Sequence, residues 1–253
     1  MYKVAIPSYR RVDILRDKTL NYLKKTNIDL DSVYLFVANE EEKIKYSVLN
    51  IKNIVVGVET IKGQRNFIRR YFAEGENIFS LDDDIAGLYY AKSIKELALV
   101  TDLNSIIVKG FELCNKIKTK LWGVSAVKNA FFIYDKKISG DLKYIVGACF
   151  GQIIDYDNFL NQTIDDEGDY ERSIVYFIKY GSVIRFNSIA IDTKYYRTQG
   201  GMQETRTKAR VKSSGVYLLN KYKNYCTINT KKKNKEFFEI KLKYEGKRNS
   251  IKR

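Results

Sequence analysis

Asp82, Asp83 and Asp84 stand in a row at the end of a short apolar stretch, Asn77-Ile78-Phe79-Ser80-Leu81. Adjacent carboxylates repel one another, and each loses solvation if the stretch is a buried strand. A divalent cation offsets both costs. Carboxylate oxygens suit Mg²⁺ or Mn²⁺, and an ion of that kind usually also holds substrate phosphates. In an extended chain Asp82 and Asp84 project to one side and Asp83 to the other. Asp84 is the first candidate metal ligand, and Asp82, on the same side, could ligate directly or through water. Asp83 is left for a ribose hydroxyl or a backbone donor. Acidic turns are common in proteins, so the placement carries the argument: the triplet follows an apolar strand and precedes Tyr89-Tyr90.

The chain contains no histidine. This excludes a His general base, a His-ligated metal and a Ser-His-Asp triad, and leaves proton transfer to Asp or Glu. Asp165-Asp166-Glu167-Gly168-Asp169 opens a helical stretch. A carboxylate there is held by free backbone N–H groups, which suits a fixed base and equally suits plain N-capping. Gln64-Arg65-Asn66 opens another helix, just before the Asn77–Leu81 strand; Arg65 is a candidate partner of the triplet and of phosphates, or a surface arginine. The stretch from Thr198 to Arg210 carries Gly200 and Gly201, then Arg206, Lys208 and Arg210. Glycines permit close backbone approach and the cations could cover a diphosphate, so a lid is expected there, against the plainer reading of a solvated basic loop.

The elements that must position these groups alternate. Strands are expected at 4–9, 33–38, 54–58 and 78–81, with helices at 12–25, 40–49 and 63–73 between them. The strands are near-continuously apolar, which indicates a parallel sheet covered on both faces. A helix follows at 103–117, strands at 122–126 and 144–151, a helix at 169–179, a closing hairpin over 183–191 and a late helix at 216–222. Ligands in open α/β sheets bind beyond the carboxyl ends of strands. Pro7-Ser8-Tyr9-Arg10-Arg11, Ala38-Asn39-Glu40 and the triplet all lie at such ends.

Forty-five basic residues against thirty acidic give a net charge of +15. Ten basic and three acidic residues fall in 231–253, a basic C-terminal extension fit for a polyanion such as nucleic acid or an anionic membrane surface. Codon bias toward Lys accounts for part of the excess. Basic and aromatic residues also mix at Lys194-Tyr195-Tyr196-Arg197 and at Lys221–Tyr225, which suits phosphate contacts with base stacking. Three scattered cysteines indicate a reducing compartment, hence the cytoplasm, and no apolar run is long enough for a membrane span. Nothing in the pattern announces an obligate assembly, and a monomer or weak oligomer is expected.

Val4–Tyr9, Gly63–Asn66 and Leu81–Ile85, in that order, resemble the nucleotide-sugar-binding half of GT-A-fold glycosyltransferases, and the triplet is similar to that family's DxD motif. Val146–Gly151, Asp165–Arg172 and Gly200-Gly201-Met202-Gln203 resemble the DNA-modifying branch, the TET/JBP-associated glycosyltransferases of phages. The resemblance implies a GT-A-like, Rossmann-type, mostly parallel sheet flanked by helices. It implies a nucleotide-sugar half at 1–100, an acceptor half and lid at 101–215, and the basic extension at 216–253. Pro7, Ser8, Tyr9, Arg10, Asn39, Gln64, Arg65, Asp82, Asp83, Gly200, Gly201 and Arg206 would bind a UDP-sugar, with Mn²⁺ or Mg²⁺ on Asp84 and Asp82. Asp169 matches the acceptor-side acidic motif and would be the base of an inverting transfer, with Asp166 and Glu167 as alternatives. The acceptor would be a hydroxymethylated pyrimidine flipped out of DNA, in a host cytoplasm if the gene is a phage's; a surface glycan or lipid is the alternative. The family's C-terminal metal-ligating histidine has no counterpart here.

Overall fold

The computed structural model describes residues 1–193, 207–229 and 239–244. The strands are β1 (Lys3–Pro7), β2 (Val33–Val37), β3 (Asn53–Val56), β4 (Asn77–Leu81), β5 (Gly87–Ala91), β6 (Leu97–Leu99), β7 (Leu121–Ser125), β8 (Cys149–Ile153), β9 (Ile184–Asp192), β10 (Cys226–Ile228) and β11 (Ile240–Leu242). The helices are α1 (Val12–Leu15), α2 (Asn21–Lys25), α3 (Glu40–Tyr46), α4 (Ile61–Tyr71), α5 (Leu103–Ile117), α6 (Ala130–Ile133), α7 (Gly168–Tyr180) and α8 (Lys208–Lys221). A π-helical turn at Arg16–Leu20 joins α1 to α2.

Nine strands form one sheet in the order β3-β2-β1-β4-β8-β7-β9-β5-β6, and β10 pairs with β11 separately. The first four strands are parallel, as their apolar runs and intervening helices require. β8 runs antiparallel to both β4 and β7, and β7 is parallel to β9. The carboxyl ends of β1, β2, β4, β7 and β9 therefore share one edge of the sheet. That edge carries Ser8, Asn39, the triplet, the segment after Ser125, and Asp192.

Trp122 shows how the two halves are fastened. It is fully buried, and its ring stacks on Phe79 of β4 at 5.6 Å, reaching across β8. Gly151 makes that crossing possible: a Cβ there would lie 1.9 Å from the indole nitrogen. Gly110 of α5 admits the other side of the ring in the same way, at 2.4 Å.

Several elements differ from the sequence expectation. The expected hairpin over 183–191 is the single strand β9, whose register against β7 slips between Val124 and Ser125. Residues 144–147 stay out of the ladder, and Gly147 presents its backbone to side chains of two other elements instead. Tyr89 and Tyr90 lie in β5, a strand the sequence pattern does not announce. The late helix begins at Lys208, on an N-cap bond from Thr207, so a boundary at 215 would cut it. Its Leu218 packs with Tyr222, Cys226 and Ile240 against α7, so this part of the expected extension is core. Among the described residues no helix is long and apolar enough to cross a membrane.

Candidate active site

The triplet leaves β4 in a loop held from three sides. Asp82 N–H donates to the Ala148 carbonyl at 3.0 Å, continuing the β4–β8 ladder by one residue. Thr19 brackets the loop: its hydroxyl donates to the Asp82 carbonyl at 2.8 Å and accepts the Ile85 N–H at 2.9 Å. Thr19 is fully buried and belongs to the π turn, a helix irregularity that often marks functional sites. Thr19→Val is expected to strand both backbone groups and cost about 1–3 kcal/mol in thermal unfolding. Thr19→Ser should keep both bonds and most of the stability; equal melting of the Val variant and the wild type would refute the clamp.

The three carboxylates diverge. Buried Asp83 accepts from Ser8 Oγ at 2.7 Å and from Arg11 Nη1 at 3.1 Å, and Ser8 also bonds Tyr46 at 2.6 Å. Burial pushes the Asp83 carboxyl up to about 6, against the pull of Arg11 and Ser8. Its partners are thus side chains of the β1 loop, and no ribose is needed to satisfy it. Asp82 is paired with Arg65; burial raises its pKa and Arg65 opposes the rise. Asp84 is buried and accepts from Thr193 Oγ1 at 2.7 Å. Among the described residues no cation is paired to Asp84.

Among the described residues no group of three His, Cys, Asp or Glu converges into a metal cage. A cation here would have one or two protein carboxylates, which fits an ion that shares its shell with substrate phosphates and waters. Asp84, buried with only a neutral hydroxyl against it, fits that role. Asp82 fits it less directly, because Arg65 already occupies one of its oxygens.

Arg65 joins the two halves of the site. It donates to Ser80 Oγ at 2.6 Å, to Asp82 Oδ1, and to the Gly147 carbonyl at 2.9 Å. The Gly147 N–H faces Asp169 Oδ2 at 3.4 Å, and Tyr144 donates its hydroxyl to the same oxygen. Asp169 thus adjoins Gly147 directly, and Asp82 reaches the same glycine through Arg65. Asp169 is the second residue of α7, whose N-cap is Glu167 in a left-handed conformation (φ 62°) with no side-chain cap bond.

Three other acids of 165–171 have structural partners. Asp165 accepts the Lys62 N–H at 3.2 Å. Asp166 is buried against Arg210 of α8 at 3.2 Å. Glu171, fully buried, accepts from Thr163 N–H and hydroxyl at 2.7 and 2.6 Å.

Other residues named from the sequence lie at the same edge with local tasks. Pro7 ends β1 and is buried. Tyr9 is half-buried beneath the Arg10 guanidinium, 4.8 Å from its ring centre. Asn39 caps α3 by accepting the Glu42 N–H at 3.0 Å. Gln64 is buried and bonds the backbone of Val58 and Val37, tying α4 to the end of β2. Gly200, Gly201, Arg206 and the Lys194–Arg197 cluster lie outside the described residues. In Lys221–Tyr225, Tyr222 is buried and Tyr225 packs on Phe177 and Tyr244, so these aromatics serve the core.

Arg172, Phe150, Tyr144 and Thr19 are not singled out by the sequence as site residues. Arg172 is buried with its guanidinium 3.7 Å from the centre of the Phe150 ring, and Arg65 lies over the same ring at 5.3 Å. Burial and the Arg65 charge push Arg172 down to about 10. A cavity of about 20 Å³, room for one water, lies between Arg65, Arg69, Arg172 and Tyr176. An arginine close before the apolar run Ile174–Phe177 was the available signal for Arg172.

The architecture is the GT-A-like one that the sequence resemblance implied. It is shared with Staphylococcus aureus TarS 1-349 in complex with UDP-GlcNAc, at a TM-score of 0.56 and 14% identity, over 87% of this chain and 66% of that one. TarS 1-349 in complex with UDP matches at a TM-score of 0.51 and 15% identity, again over 87% and 66%. The chain thus spans just under two thirds of the length of these structures. No protein-family model matches it, and no curated protein sequence does.

Proposed function

We propose that the protein transfers a sugar from a nucleoside diphosphate donor, a UDP-sugar, to a hydroxymethylated pyrimidine in DNA. The observation that carries the transferase reading is Arg65. One guanidinium ties the strand-end carboxylate Asp82 to Gly147, whose N–H faces Asp169. In this reading Asp82 is the donor-side carboxylate and Asp169 the acceptor-side one, linked through Arg65 and Gly147, on a fold shared with a protein that holds UDP-GlcNAc.

Ser8, Tyr9 and Arg10 then line the nucleotide, and Arg65, Asp82 and Asp84 face the diphosphate, while Asp83 holds the β1 loop. Asp84, with Asp82, would hold a Mn²⁺ or Mg²⁺ ion, which supplies Lewis-acid stabilisation of the leaving diphosphate. Asp169 removes the acceptor proton as the hydroxymethyl oxygen attacks the anomeric carbon and the bond to the diphosphate breaks. Of the two alternatives, Asp166 suits that task poorly, since it is buried against Arg210, and Glu167, the N-cap residue of α7, stays the alternative base. The DNA acceptor rests on the net charge of +15 and on the sequence resemblance of 146–151 and 165–172. A base inside a duplex would have to be extruded to present its hydroxyl.

The test is incubation with a panel of nucleotide sugars, plain or hydroxymethylated DNA, and Mn²⁺ or a chelator, read by mass spectrometry of the nucleosides. Expected is a hexose or pentose mass on the modified pyrimidine alone, lost with the chelator. Transfer only to glycan or lipid acceptors would overturn the DNA reading and keep the transferase. DNA binding with no donor turnover under any condition would leave a non-catalytic nucleic-acid-binding protein.

A further inference from the structure

The segment that follows β7 exposes aromatic side chains where a soluble surface would ordinarily hide them. Phe131 is 65% exposed and Phe132 60%, and Val127 and Tyr134 are exposed beside them. The two phenyl rings stand edge to face, 5.4 Å apart. Their exposure is not slack in the fold. Ala130 and Ile133 of the same short helix are buried, and α6 is seated on β5 and β9. The helix is thus anchored by one side and presents its phenylalanines by the other.

The position is specific. The segment leaves the carboxyl end of β7, on the sheet edge that carries the triplet. Lys128 pairs with Asp192 and covers the Tyr89 ring at 4.8 Å. The residue after Asp192 is Thr193, which bonds Asp84. One end of the aromatic segment is therefore a single ion pair and one peptide unit from the partner of Asp84. The other end carries exposed Lys136 and Lys137.

We infer that Val127–Lys137 is the acceptor platform, on which unstacked bases of a nucleic-acid strand lie against Phe131, Phe132 and Tyr134 while Lys136 and Lys137 contact its phosphates. This rests on the DNA-acceptor reading above. Aromatic faces interleaved with cations are the general solution for binding single strands, because every base has a π face and every linkage a charge. The segment holds three lysines against one acid, Asp135, in a chain of net charge +15, so its field matches a polyanion. A bilayer would also accept exposed phenylalanines with flanking lysines. The placement beside Asp84 favours the strand, because the acceptor is what must reach that edge. The basic-aromatic cluster at Lys221–Tyr225 cannot serve in its stead, its Tyr222 being buried.

The test uses the full chain and a fluorescent single-stranded oligothymidylate, read by anisotropy over a salt series with no donor present. F131A/F132A is expected to weaken binding about tenfold or more with the salt slope unchanged. K136A/K137A is expected to lower the slope by about 1.4, roughly 0.7 for each phosphate contact on a single strand. Both variants expose nothing new from the core and should bind UDP as the wild type does. The inference falls if F131A/F132A binds the oligonucleotide as tightly as the wild type, if the lysine variant keeps the full slope, or if the wild type does not bind. It also falls if F131A/F132A loses only its binding to phosphatidylglycerol vesicles, which would make the segment a membrane contact. Oligonucleotide binding through these residues without sugar transfer to hydroxymethylated DNA would sink the functional reading and spare the platform. Transfer that survives F131A/F132A with unchanged affinity would do the reverse.

Discussion

Asp169→Asn is expected to slow sugar transfer about 100- to 10,000-fold while leaving UDP affinity close to that of the wild type. Asp169 sits at the second position of α7, with Oδ1 on the Tyr170 N–H at 3.1 Å and Oδ2 toward Tyr144 and Gly147. These contacts hold the carboxylate in one orientation beside the glycine that Arg65 ties to the triplet. Asparagine preserves size and most contacts but cannot accept a proton from an attacking hydroxyl. The loss should therefore fall on the chemical step, visible in single-turnover rates, and not on donor binding. Tyr144→Phe, which removes one donor to the carboxylate, should cost far less. Asp166→Asn offers the contrast. Asp166 is buried against Arg210 of α8, so that variant should lower the melting temperature and leave the rate of the folded fraction nearly intact. An Asp169→Asn enzyme within about threefold of the wild type would remove Asp169 as the base.

Much of this arrangement could be read from local pattern, and the unread part has a common cause. The apolar runs ending in Ser8, Asn39 and Asp82 identify strands, and alternation with helices sets their carboxyl ends on one edge. The period of two separates Asp83 from Asp82 and Asp84, and in the structure Asp83 does turn away, to Ser8 and Arg11. What pattern cannot supply is contact between elements distant in sequence. Thr19 and Asp82 are 63 residues apart, and Arg65 and Gly147 are 82 apart. Nothing in the spacing of either pair foretells the bond. Local chemistry can also be ambiguous. Lys221–Tyr225 and Lys128–Lys137 have similar compositions, yet the first buries Tyr222 in a core cluster and the second exposes Phe131 and Phe132. Only the packing of α8 against α7, and of α6 against β5 and β9, separates a core segment from a binding surface.

Arg65→Met is expected to lower stability by about 3 kcal/mol, a fall in melting temperature of roughly 6–12 °C, and to suppress transfer along with it. The Arg65 side chain is 9% exposed and bonds three acceptors on two segments, Ser80 and Asp82 at the end of β4 and Gly147 before β8. Methionine fills similar volume, so cavity formation is a minor effect and the stranded Asp82 carboxylate the major one. Removing one partner of a buried ion pair costs about 3–5 kcal/mol. The low end applies because the Asp82 side chain keeps 36% of its exposure. One effect opposes the loss. Arg65 and Arg172 lie over the same Phe150 ring, and the Arg65 charge helps push Arg172 down, so removing Arg65 relieves Arg172. That relief acts between two cations, whereas the loss strips Asp82 of its direct partner, so destabilisation wins. The sign can be checked by adding Asp82→Asn. If the stranded carboxylate is the cause, Arg65→Met/Asp82→Asn should recover part of the stability lost by Arg65→Met alone, although activity stays low. No recovery in the double variant would place the cost in the lost bonds to Ser80 and Gly147. An Arg65→Met protein within about 1 kcal/mol of the wild type would mean that Arg65 does not hold the two halves of the site together.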